Sequence, residues 1–80
     1  MALSELLMKE PQRKAQRDLL RDYGVLLNRR RKERGVTLIE LSAKTGVSFE
    51  DIDLSEKGLF ELSGEEKQRI AEFLKRQPII

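Results

Sequence analysis

The apolar residues recur three and four positions apart in three stretches. Leu19, Leu20, Tyr23 and Leu27 form one series, Leu38, Leu41 and Thr45 a second, and Ile70, Phe73 and Leu74 a third. This spacing puts each set on one face of a helix and makes them the expected core. Strand signals are poor: there is no alternating Val/Ile/Thr run and no Asn-Gly or Asp-Gly hairpin turn. Helix starts are well marked. Thr37 precedes Glu40, Ser48 precedes Asp51 and Ser63 precedes Glu66, each pair three apart. A hydroxyl at such a place accepts a free first-turn N–H, and the acid reaches back and favours the positive end of the helix dipole. Gly35, Gly46 and Gly58 fall where the preceding helices should end, in the left-handed conformation that closes a helix.

These signals predict a first helix over 12–34, whole or broken, then short helices over 38–45 and 49–56. A loop over 57–63 and a last helix over 64–76 follow, with Pro78 just beyond. Residues 1–10 are expected to form a short extra helix before Pro11. The expected fold is all-α, a compact bundle of four to five helices. Residues 1–20 read as an N-terminal helical extension and 21–77 as the main domain.

Composition narrows the chemistry. Eighty residues suit one domain with a thin stability margin. Without cysteine there are no disulfides, no thiolate nucleophile and no cysteine zinc site. This fits a reducing cytoplasm. Without histidine, the commonest general base and metal ligand is missing too. No apolar run nears the roughly 20 residues of a membrane span, and the opening residues, with Glu5 and no basic start, read as no signal peptide. The net charge of +2 hides an asymmetry. Residues 1–35 hold ten Lys/Arg against five Asp/Glu, and residues 36–80 hold six against nine. The basic cluster is Arg29, Arg30, Arg31, Lys32 and Arg34; the acidic one is Glu50, Asp51, Asp53 and Glu56. An electrostatic partner would meet a two-faced molecule.

The segment Thr37–Gly58 carries the sharpest pattern. A short capped helix ends at Gly46, one apolar residue follows at Val47, and Ser48 opens a second short helix with Ile52 facing inward. Ser42 is the small residue where two such helices cross. Two short helices across a glycine-containing turn make a helix-turn-helix. The chain resembles the lambda repressor/Cro-like (Xre-type) helix-turn-helix family through Arg34-Gly35-Val36-Thr37, Glu40-Leu41-Ser42, Lys44, Gly46-Val47-Ser48, Ile52, Glu56, Gly58, Ile70-Ala71 and Leu74. The likeness is ungapped from Gly35 to Gly58 and spans about residues 22–76. It implies a four- or five-helix domain that binds duplex DNA as a bacterial or phage transcriptional regulator, commonly as a dimer. The chain departs from the family in places. Leu38 stands where the family usually has a phosphate-touching Gln, Arg30 at a usual core leucine, and Ser55 at an apolar position. The expected recognition helix, Ser48, Phe49, Glu50, Asp51 and Asp53, has no Lys or Arg between Thr45 and Glu56.

Two roles follow. In the first, the third helix enters the major groove. An acid can accept from cytosine and Phe49 can touch a thymine methyl. Phosphates would then be neutralised by Arg29, Arg30, Arg31, Lys32, Arg34 and Lys44, with Arg13, Lys14 and Arg17 in support. In the second, the domain is a protein-interaction module whose Glu50, Asp51 and Asp53 meet a basic partner. Leu3, Leu6, Leu7 and Met8, or the tail Pro78-Ile79-Ile80, then dock on a neighbour, complete a homodimer, or cover the domain's own core. The bland reading of both charge runs is solvated helix face. No enzyme, cofactor or metal site is expected. Three acids on a short surface helix lack the pocket that acid–base catalysis needs, and their spacing does not match a calcium loop.

Overall fold

A computed structural model describes the backbone of residues 2–80 and the side chains of residues 17–80. Its four helices are α1 (Ala2–Glu33), α2 (Leu38–Thr45), α3 (Phe49–Glu56) and α4 (Gly64–Arg76), with no strand among the described residues. No helix among them is long and apolar enough to cross a membrane. The last three helices fall where their caps and periodicity place them. The first does not. In place of a short helix over 1–10 and a separate one from residue 12, α1 runs unbroken through Pro11 for 32 residues. A proline withdraws one N–H from the ladder, and α1 keeps helical geometry on both sides of it. A helix of that length spans about 48 Å and accounts for the longest dimension, 53 Å.

The helix ends follow from their residues. At the end of α1 the Val36 amide donates to the Arg31 carbonyl at 3.1 Å and the Gly35 amide to the Lys32 carbonyl at 3.1 Å. Gly35 takes φ 63° and Val36 is buried. This is the paired-bond stop of a Schellman motif, with its apolar anchor. α3 ends the same way: Leu59 donates to the Leu54 carbonyl at 2.9 Å and Gly58 to the Ser55 carbonyl at 3.0 Å. Ser63 and Glu66 form the full reciprocal box at the start of α4, at 3.1 and 2.9 Å. Thr37 Oγ1 accepts from the Glu40 amide at 3.0 Å. Ser48 does not make the expected cap; its side chain accepts nothing from α3. The acids Glu50 and Asp51 in the first turn of α3 complement the dipole in its stead.

The core gathers Leu27, Val36, Leu41, Val47, Ile52, Leu62, Ile70 and Leu74, with Tyr23, Leu38 and Phe73 packed at its edge. α1 packs on α3, α3 on α2 and α2 on α4. Leu19, expected inside, is 67% exposed. The face of α1 that meets α3 runs through Gly24, Leu27 and Arg31, and Leu19 points to the side of it. Gly24 is the close approach. A Cβ there would lie 2.4 Å from the Ser55 carbonyl oxygen and 2.7 Å from that of Glu56. Both are backbone atoms at the capped end of α3, with no rotamer to move aside.

Replacing Gly24 by alanine therefore separates α1 from α3, and urea unfolding should show a loss of about 2 kcal/mol despite the better helix propensity of alanine. Gly46→Ala meets no atom within 4 Å. Its cost should be only the left-handed backbone at φ 75°, about 1 kcal/mol.

Candidate functional site

Two segments carry the expected site residues: the basic end of α1 and the turn into α3. The turn is built locally. Gly46 at φ 75° donates its amide to the Ser42 carbonyl at 2.9 Å. Ser42 Oγ donates to the Val47 carbonyl at 2.6 Å, and Thr45 Oγ1 donates to the Leu41 carbonyl at 2.6 Å. Val47, 1% exposed, pins the turn to the core. The polar groups of the turn are thus satisfied, which sets α3 at a fixed angle to α2.

The basic run is not one surface. Arg31 is turned inward and its side chain is 11% exposed. Its Nε donates to Glu56 Oε2 at 2.6 Å and its Nη2 to Oε1 at 3.0 Å, a two-pronged grip on the carboxylate. Its Nη1 donates to the Val36 carbonyl at 2.9 Å, and Asn28 Nδ2 donates to Glu56 Oε1 at 2.7 Å. The hydrogen bond to Glu56 raises the Arg31 pKa against the opposing effect of burial, and the charges of Glu56 and Asp53 add to the rise. Arg31 therefore leaves the expected phosphate-binding set. Its charge is consumed by Glu56, which in turn leaves the exposed acidic cluster.

The other cations are divided. Arg29 and Lys32 are exposed at the end of α1. Arg30 is exposed too, at the position where the resemblance implies a core leucine. Arg34 is half-buried, with Nη1 donating to the Arg30 carbonyl at 3.2 Å and lying 3.7 Å from the Glu33 carboxylate. Arg30 and Arg34 line a groove between α1 and α4. Lys44 lies elsewhere, in a depression with Arg69 and Arg76 between α2 and α4. Arg17 is exposed, while the side chains of Arg13, Lys14, Leu3, Leu6, Leu7 and Met8 lie outside the described residues.

On α3, Ile52 and Ser55 face inward. Ser55 Oγ is buried with no partner. The outward side presents Glu50, Asp53 and Leu54, with Phe49 at 43% and Leu54 at 38% exposure. Ser48 is exposed and Asp51 half-buried. Asp53 accepts from Lys57 Nζ at 3.0 Å, so the first cation after the acids is already engaged. Glu50 and Asp51 lie in the first turn of α3 and Glu56 in its last. The α1 pairing thus attaches at the far end of α3, about 9 Å along the axis from Glu50. The groove, Asn28 as a third partner and the Gly24 contact have no periodic signature. A glycine inside an otherwise helical stretch was the one visible sign.

No protein-family model matches the chain, and neither a curated protein nor a solved structure does.

Glu56→Ala leaves the Arg31 guanidinium buried without its anion and should cost about 3–5 kcal/mol in urea unfolding. The apolar pair Arg31→Met with Glu56→Leu should recover most of that loss, because neither charge then needs desolvating. A Glu56→Ala protein as stable as the parent would remove the pair from the fold's supports.

Proposed function

We propose that the chain is a helix-turn-helix domain that docks on a basic protein partner through the outward side of α3. One observation carries this reading: that side offers Glu50, Asp53, Leu54 and Phe49, with half-buried Asp51 beside them, and its neighbouring cation Lys57 is held by Asp53. Base edges are mostly read by Arg, Lys, Asn, Gln, Ser or Thr, and a polyanion opposes three acids. A cationic protein surface with apolar pockets is complementary to both the acids and the two exposed apolar side chains.

A second reading rests on different residues. Exposed Arg29, Arg30 and Lys32 crowd the end of α1, and such a cluster contacts duplex phosphates without reading sequence. In that role the resemblance to Xre-type regulators keeps its usual partner, with α3 contributing little to base choice.

Fluorescence titrations against a Lys/Arg-rich peptide and a random duplex, each at two salt concentrations, test the two readings. The peptide should bind, and Glu50→Lys with Asp53→Lys should weaken it roughly tenfold. For the duplex, Arg29→Glu with Lys32→Glu should flatten the log–log salt slope by about 2, since each phosphate contact contributes about one. Duplex binding that depends on one sequence and is lost in Glu50→Ala with Asp53→Ala would overturn the protein-docking reading and make α3 a base reader.

A further inference from the structure

α1 and α4 stand apart across a groove of about 640 Å³. Its floor is apolar, formed by side chains that include Leu26, Leu27, Ala71 and Leu74. Its rim carries Arg30 from α1, Arg34 just past the end of α1, and Lys67 and Lys75 from α4, and no carboxylate lines it. Beyond Tyr23 it borders a smaller hollow lined by Leu19, Leu20 and Glu61. The exposure of Leu19, unexplained by the core, belongs to this line of apolar residues.

The polar groups of the rim are only partly occupied from within. Lys67 Nζ sits 4.7 Å over the Tyr23 ring, with Glu61 at 3.5 Å. Arg34 Nε is buried without an acceptor. A trough floored by aliphatic side chains and edged by four cations suits an amphipathic helix with acids along both margins. From Tyr23 to Arg34 the trough is about 16 Å long, three turns of helix.

The geometry points to this groove as the docking site for an acidic amphipathic helix of a partner protein. Charge decides the occupant. Residues 2–16 of a second copy carry Lys9, Arg13 and Lys14 against Glu5 and Glu10, a net positive segment that the rim repels. Duplex DNA satisfies the cations and leaves the apolar floor wet. An acidic helix covers the floor and sets its carboxylates beside the cations of the rim. This site is separate from the α3 face and does not depend on the reading of that face.

The probe is a synthetic helical peptide of about four turns, with leucines at i, i+3, i+4 and i+7 and glutamates flanking them. Its controls are a scrambled peptide of the same composition and a version with lysine for glutamate. Binding to the full chain is followed by anisotropy and by NMR shifts. The patterned peptide should bind, shift the signals of Tyr23, Leu26 and Ala71, and weaken at higher salt. Ala71→Glu, at an exposed position that leaves the core intact, should weaken binding about tenfold, and Arg30→Glu with Lys75→Glu at least as much. Circular dichroism checks that both variants stay folded. Equal binding of the scrambled peptide, shifts confined to α3, or no binding at all overturns the proposal. So does concentration-dependent self-association through the groove that the peptide fails to compete away, which would assign it to a second copy. Displacement of the patterned peptide by a short duplex with no effect of Ala71→Glu would assign the rim to nucleic acid.

Discussion

The Arg31–Glu56 pair is the constraint on which the geometry of the chain depends. It ties the last turns of α1 to the last turn of α3 at 2.6 Å, and Arg31 Nη1 extends the tie to the Val36 carbonyl in the loop before α2. Two charges taken from water are costly, and the attraction between them repays that cost only when geometry and added hydrogen bonds are good. Here both conditions hold: the guanidinium grips both carboxylate oxygens, and Asn28 adds a further donor to Oε1. The requirement to meet that geometry sets the distance and rotation of α1 on α3.

Gly24 belongs to the same constraint. The pair draws α1 close to the end of α3, and at that separation no side chain fits between the helix and the Ser55 carbonyl. The Schellman stop of α3 turns that carbonyl toward Gly58, itself packed against Arg21 of α1. Ion pair, close contact and helix stop thus occupy one patch of the α1–α3 interface. Disturbing any of them displaces the others, because packed interfaces transmit shifts of a few tenths of an ångström.

The same pairing shapes what the surface can bind. It removes one cation from the basic run and one anion from the acidic run. The remaining charges are sorted into separate places: Glu50 and Asp53 on the outer side of α3, Arg30 and Arg34 beside the α4 groove, and Lys44 with Arg69 and Arg76. Because α1 is committed to α3 and α4 to α2, the α1–α4 junction is left open. The groove is a consequence of how the three helix contacts are distributed.

Much of the fold was readable from residue order alone. Helix type, the ends of α2, α3 and α4, and the left-handed glycines at 35, 46 and 58 follow from local physics: apolar spacing, hydroxyl caps and the freedom of a residue without Cβ. Such terms involve neighbours within four residues, so they survive in a string of letters. What needed three dimensions was the fate of charge and of close contact. Arg29, Arg30, Arg31 and Lys32 look alike in sequence, and only the approach of Glu56, 25 residues away, buries one of them and leaves the rest in solvent. The exposure of Leu19 and the need for glycine at 24 likewise depended on what lies, or does not lie, opposite each position. A side chain's energy in a folded protein is set by its neighbours in space, and partners so far apart in the chain leave no periodic trace in its order.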